Sequence, residues 1–352
     1  MKPIFCIVLL LSCIRCIQTY KILVYSPQFA SSHVNFMGTI ADVLVQGGHD
    51  VALKTLSDSF ATLCKYQIID DKIMNQIKSE NFDLAIGEIF DACFYAILKR
   101  IQLQNYITVF SNALFPIAAS HLGIPATPSF LHDNIFRYVM FEHSPPPLTY
   151  IGRAKGIVNH VLGYNLFPKF FFGNIEEITR PVLGQDFDVM SMVRGSSLIF
   201  ANVDEHIDFP RPVSHKIVYI GGIGQAKPKA LEQKYQQLMD NSRKGVILVS
   251  FGSIALSYQM LDEQKQTLLS VFKDFPDITF LWKYEKEDDN FTANYKNLVI
   301  GKWLPQADLL NQSRNALAVE YRKIGISASK GDLMNGKEKL VQDIESILDD
   351  PR

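Results

Sequence analysis

The sequence predicts an α/β protein built from two consecutive domains, each with a parallel sheet covered by helices. Three observations predict it. Short apolar runs of strand length alternate with helical periods over the first 110 residues. A stretch rich in proline and glycine then interrupts the periodicity, from Phe209-Pro210-Arg211-Pro212 to Gly221-Gly222-Ile223-Gly224. The same alternation restarts at Gly245. Strands that alternate with helices pair in parallel, because each helical crossover returns the chain in the same direction.

In chain order, Met1-Lys2-Pro3 and the apolar run Ile4 to Ile14 have the charge and length of a secretory signal, shorter than a membrane span; cleavage is expected within residues 16–20, giving a leader of about residues 1–19. A buried first strand or an uncleaved anchor is the alternative. Lys21 to Ser26 reads as a buried strand, followed by a helix with apolar Phe36, Ile40, Val43 and Leu44 that Gly47-Gly48 ends. His49 to Lys54 alternates as a second strand, which completes a βαβ unit. Met74 to Lys78 lies in a helical stretch, Phe82 to Gly87 reads as a strand, Ala92 to Leu103 as a helix and Tyr106 to Phe110 as a strand. Pro125 to Pro147 is aromatic and proline-rich and reads as an irregular lining loop. Helical stretches lead to a strand at Ser197 to Asn202; within them Val161 to Phe172 reads as core, with a bilayer surface as its other use. In the second domain Gly245 to Phe251 is a strand, Gly252-Ser253 a turn and Leu261 to Phe272 a helix, followed by strands Ile278 to Lys283 and Leu298 to Gly301. The domains are therefore 20–220 and 245–352, with 221–244 as a linker and a ligand cleft expected between them.

Composition narrows the function. The chain has 352 residues, 47% of them apolar, and its 35 basic and 36 acidic side chains leave a net charge of −1, which gives no field for a nucleic-acid backbone. Of five cysteines three lie in the first sixteen residues, so Cys64 and Cys93 remain, either paired or as free thiols. Asn290-Phe291-Thr292 and Asn311-Gln312-Ser313 are glycosylation sequons if the chain enters the secretory lumen. No later segment is apolar enough to span a bilayer.

Candidate chemistry collects at strand ends. His33 opens the first helix just past the carboxyl end of the first strand, where open α/β sheets present reactive groups and where a histidine can serve as a general base. Glu88, with Asp91 three residues on, follows the Phe82 to Gly87 strand at the same edge and could orient that imidazole. A structural histidine and a solvated loop acid are the plain alternatives. Phe251-Gly252-Ser253 offers backbone N–H groups and a hydroxyl ahead of a helix, suited to phosphate. Gly221-Gly222-Ile223-Gly224 is not a dinucleotide fingerprint, because its spacing fails. Trp303-Leu304-Pro305-Gln306 places an aromatic face beside an amide, suited to a base and a ribose, or else to a core tryptophan.

Taken together, the Ser32 to Gly38 block, Phe82 to Glu88, Asp208 to Pro212 with Tyr219 to Gly222, Val249 to Ser253 and Trp303 to Leu310 resemble the UDP-glucuronosyltransferases and related UDP-glycosyltransferases, most closely the nematode-type members. The resemblance implies a GT-B fold, with an acceptor domain and a nucleotide-sugar domain facing across a cleft. It implies inverting transfer, without a metal or resident cofactor, of a hexose or hexuronic acid, glucuronate first, from a UDP-sugar to a hydroxyl of a small lipophilic acceptor. His33 would be the general base. Glu88 stands where many members carry an aspartate and is one methylene longer, with Asp91 in reserve. Ser253 would meet the diphosphate, Trp303 the uracil and Gln306 the ribose.

The sequence also departs from the family pattern. Leu310-Asn311 runs directly into Gln312 to Ala316, so the segment that grips pyrophosphate, ribose and sugar in the family is expected to be missing and the second domain incomplete. The C-terminal membrane anchor is expected to be missing too. A catalytically inactive form that binds lipophilic acceptors or full-length relatives is the alternative function. The endoplasmic reticulum lumen is the expected location, with peripheral membrane contact and oligomers with family members as the partners to consider.

Overall fold

The computed structural model describes residues 19–27, 31–56, 60–125, 128, 150–205, 211–223, 229–253, 255–286, 289–306, 308–309 and 337–348. Two compact units divide between Gly224 and Gln225.

The first unit is a six-stranded parallel sheet flanked by helices. Its elements are β1 (Lys21–Pro27), α1 (Ser31–Gln46), β2 (Asp50–Leu56), α2 (Phe60–Ile69), α3 (Asp71–Ser79), β3 (Leu84–Glu88), α4 (Cys93–Ile101), β4 (Tyr106–Phe110), α5 (Pro116–His121), α6 (Tyr150–Leu183), α7 (Val189–Gly195), β5 (Leu198–Ala201) and β6 (Ile217–Tyr219). The strand order is β2-β1-β3-β4-β5-β6. Because β2 lies on one side of β1 and all later strands on the other, the order reverses at the β1–β3 pair, the place where an open sheet leaves a crevice at its carboxyl edge.

The apolar run of β1 is continuous because both of its faces are covered. Leu23 and Tyr25 join the core under α2, α4 and α6. Ile22 and Val24 join the opposite core with Met37, Ile40 and Ala41 of α1. Successive side chains of a strand point to opposite faces, so a strand buried on both reads as an unbroken apolar run.

Several elements differ from the sequence expectation. The helix expected to reach Leu103 ends at Ile101, because Gln102 turns left-handed (φ 64°) and its N–H bonds back to the Leu98 carbonyl. The stretch expected to connect domains contributes β6, which pairs with β5 from Ile217 to Tyr219. Most of Pro125 to Pro147 lies outside the described residues. Val161 to Phe172 is not simply core: it lies in α6, where Phe167 and Phe172 are buried while Val161, Leu162, Tyr164, Leu166 and Phe170 are exposed. The burial follows helical spacing, with Gly163, Phe167, Phe172, Ile175 and Thr179 turned inward.

The second unit holds α8 (Gln233–Asn241), β7 (Val246–Val249), α9 (Asp262–Asp274), β8 (Thr279–Lys283), β9 (Leu298–Gly301) and α10 (Lys337–Leu348). Its parallel strands run in the order β7-β8-β9. Leu268, Leu269 and Phe272 of α9 pack on Phe280, Trp282 and Tyr284, with Trp282 fully buried. Helix α8 falls inside the stretch 221–244 expected as a linker and packs Tyr235 against Leu281, Leu304 and Leu309. The second unit thus begins earlier than the expected residue 245. The junction at Leu310 to Ala316, with its expected missing segment, lies outside the described residues. Among the described residues no helix is long and apolar enough to cross a membrane.

Candidate active site

Three neighbouring strands deliver one polar side chain each from their carboxyl ends. His33 is the third residue of α1, which follows β1. Glu88 is the last residue of β3. Ser111 follows directly on β4. The sheet therefore brings together a histidine and a glutamate that stand 55 residues apart in sequence.

His33 Nδ1 lies 2.5 Å from Glu88 Oε1, and Ser111 Oγ lies 2.9 Å from the same nitrogen. The Glu88 side chain is fully buried and that of His33 is 15% exposed. A carboxylate can only accept, so with Glu88 in that form the contact calls for the proton on Nδ1, with Ser111 Oγ as a second neighbour of that nitrogen, and for Nε2 as the atom able to take another proton. Glu88 Oε2 has no hydrogen-bond partner among the described residues, so the carboxylate is committed to the imidazole through one oxygen. The Phe90 ring stands edge-on to the imidazole at 5.6 Å and is half-buried. This arrangement can accept a proton at Nε2 and stabilise the resulting imidazolium with a buried negative charge.

Asp91, the reserve candidate for orienting the histidine, is bound elsewhere. Its Oδ2 accepts from the Tyr25 hydroxyl at 2.7 Å and its Oδ1 from the Cys93 N–H at 3.0 Å. Burial pushes its carboxyl up to about 6, against the pull of those two bonds and with a further push from Glu88. Tyr25, held well above its ordinary value by burial and by Asp91, remains a donor. Cys64 of α2 and Cys93, the first residue of α4, form a disulfide. That closes the alternative of two free thiols.

Ser111 escaped the sequence reading. The signal was available, since it is the first polar residue past a strand's carboxyl end, the same rule that singled out His33 and Glu88.

In the second unit Gly252 turns left-handed (φ 85°) just after β7, and Ser253 beside it is exposed. Trp303, two residues past β9, is 68% exposed, and Gln306 is exposed as well. Trp282 is the tryptophan of the core, so Trp303 is free of the packing role its composition suggested. Strands β7 and β9 flank β8 in parallel. Ser253 follows the carboxyl end of β7, and Trp303 and Gln306 follow that of β9, so the segments that carry them leave the sheet at the same edge.

A family model described as UDP-glucoronosyl and UDP-glucosyl transferase matches residues 49–317. Among relatives, a Caenorhabditis elegans protein named for UDP-glucuronosyltransferase activity, ugt-55, is 28% identical over 363 aligned residues, covering 86% of this chain and 68% of its own. A Caenorhabditis briggsae protein named in the same way, ugt-47, is 25% identical and covers 97% of this chain and 80% of its own. The solved structure of LpCGTa in complex with UDP superposes with a TM-score of 0.57 at 14% identity, over 95% of this chain and 91% of that one. The glycotransferase of kitacinnamycin gives 0.54 at 11% identity, over 95% and 92%. At such identities the structural likeness speaks for the fold alone, which is the α/β GT-B class.

Proposed function

The chain belongs to the UDP-glucoronosyl and UDP-glucosyl transferase family, and from that premise we propose that it transfers a hexose or hexuronic acid, glucuronate first, from a UDP-sugar to a hydroxyl of a small lipophilic acceptor, with His33 as general base. Glycosyl transfer from UDP-sugars is the chemistry of the family. The contact between His33 and Glu88 at the sheet's switch point is the observation that carries the finer reading.

In the proposed step the acceptor hydroxyl gives its proton to His33 Nε2 as its oxygen forms a bond to the anomeric carbon. The bond from that carbon to the β-phosphate oxygen breaks, and UDP leaves with the electron pair. Attack opposite the leaving group inverts the anomeric configuration. Glu88 holds the Nδ1–H tautomer and balances the charge on the imidazolium; proton transfer to a positioned base such as His33 contributes about 10²–10⁴ in rate. Phe90 supports the lipophilic acceptor by giving the imidazole an apolar neighbour. On the donor side, the exposed Trp303 ring would stack on uracil, Gln306 would meet the ribose, and the Gly252-Ser253 turn would meet the diphosphate. The Cys64–Cys93 bridge supports folding in an oxidising compartment, in keeping with a secretory leader.

The test is incubation of the purified chain with UDP-glucuronate or UDP-glucose and a panel of phenols, with conjugate and released UDP measured by mass spectrometry. Conjugate formation that His33→Ala abolishes is the expected result, and the faster donor names the sugar. Absence of conjugate from both donors, or formation undiminished in His33→Ala, would refute the proposal.

A further inference from the structure

The turn that follows Glu88 is held more firmly than a surface turn needs to be. Ile89 and Cys93 are buried, and so is the charged Asp91, at 4% exposure. The Ile89 N–H donates to the Val109 carbonyl of β4 at 3.0 Å. Gly87 lets the Phe94 ring lie flat against β3, since a Cβ there would stand 2.5 Å from that ring. The disulfide anchors Cys93 to α2. Asp91 then links this turn to β1, by accepting from the Tyr25 hydroxyl, and to the first residue of α4, by accepting from the Cys93 N–H.

The link spans the two halves of the site. Tyr25 stands opposite Gly87 in the β1–β3 register, one residue before Glu88. Strand β1 also leads into the helix that carries His33. A bond from Tyr25 to Asp91 therefore ties the strand behind the histidine to the turn behind the glutamate. A buried carboxylate close to a second buried carboxylate is an unfavourable way to pack a turn, and two apolar residues would fill the same space more cheaply.

We propose that Asp91, held by Tyr25, is a positioning residue for the His33–Glu88 pair: it fixes the turn that aims Glu88 at His33 Nδ1. The inference rests on the general-base reading above. Misplacement of reacting groups by about 1 Å can cost about a hundredfold in rate, so a partial loosening of this turn should be visible in turnover.

The experiment compares the full-length parent with Asp91→Asn and Tyr25→Phe. Two readouts are taken, kcat and KM for donor and acceptor, and the tautomer of His33 from histidine ¹⁵N NMR. In the parent His33 is expected as the Nδ1–H tautomer. In both variants kcat is expected to fall about tenfold, with each KM within about twofold of the parent, because the pair is displaced and the binding surfaces are not. The His33 signal is expected to become a mixture of tautomers. A merely structural role would change stability and leave kcat and tautomer as in the parent, and that result in both variants would overturn the proposal. If the parent makes no conjugate, the transferase reading fails by itself, and the tautomer still decides whether Asp91 positions the pair.

Discussion

Replacing Asp91 by asparagine should stabilise the first unit at pH 8 and leave it nearly unchanged near pH 4. Burial holds this carboxyl at about 6 in the folded chain, against an ordinary value of 3.8. The folded state therefore binds the proton more tightly than the unfolded state does, and the ionised group destabilises the fold. The sign follows from linkage: the penalty is absent below about pH 4, grows as pH rises between about 4 and 6, and is complete above that. A difference of about two pH units corresponds to roughly 3 kcal/mol. Asparagine cannot ionise, so the variant sheds that penalty. Like the protonated carboxyl it offers one carbonyl acceptor where the carboxylate accepts from both Tyr25 and Cys93, so the turn is held less firmly than in the ionised parent. The gain at pH 8 therefore falls short of that amount, and the advantage is lost as pH falls. Both tryptophans, Trp282 and Trp303, lie in the second unit, so their fluorescence reports the wrong part of the chain. Urea titrations at several pH values, read by hydrogen exchange in peptides from β1 and β3, report the right part. A gap between variant and parent that does not change with pH, or a parent more stable than the variant at pH 8, would refute the reasoning. The same substitution is expected to slow turnover, so stability and activity should move in opposite directions.

Gly87→Ala forces a methyl to within 2.5 Å of the Phe94 ring and should destabilise the chain by about 1–3 kcal/mol in urea titrations. Gly38→Ala, where the new Cβ meets nothing within 4 Å, should stabilise α1 by up to about 1 kcal/mol in the same assay. Replacing Cys64 and Cys93 by serine removes a cross-link between residues 29 apart, which should lower stability by about 3–4 kcal/mol and be read as a fall in melting temperature. Trp303→Ala should weaken UDP binding about 5- to 150-fold in calorimetry, since base stacking contributes about 1–3 kcal/mol. Unchanged UDP affinity would remove Trp303 from the donor seat.

Strands buried on both faces were the most legible part of the fold, because an unbroken apolar run such as Ile22 to Tyr25 leaves few other readings. Strand β4, Tyr106 to Phe110, is buried at every position and has the bounds expected for it. Short edge elements were hidden. Strand β6 has three residues set between proline-rich and glycine-rich stretches, so its pairing with β5 comes from tertiary contact and leaves no periodic trace. Helix α2, with the sequence FATLCKYQII, has apolar residues on all sides and no period to betray it. At the site, His33 and Glu88 were legible one at a time, each past a strand end. Their contact depends on β1 and β3 lying side by side, which no local pattern encodes. The same gap separated Asp91 from its true partner, since a carboxylate three residues past Glu88 reads as its substitute until the Tyr25 hydroxyl is found beside it. The two tryptophans were indistinguishable by composition, and only packing showed that Trp282 fills the core and Trp303 faces outward.

The most direct test of the account is a double-substitution cycle on the pair, measuring conjugate formed per minute by the parent, His33→Ala, Glu88→Ala and the two combined. If Glu88 acts through the imidazole, its loss should slow the parent by about 10²-fold or more and have no further effect once His33 is gone. Rate losses that multiply in the combined variant would mean that the two side chains act independently, and would contradict the base–orienter pair on which the mechanism rests.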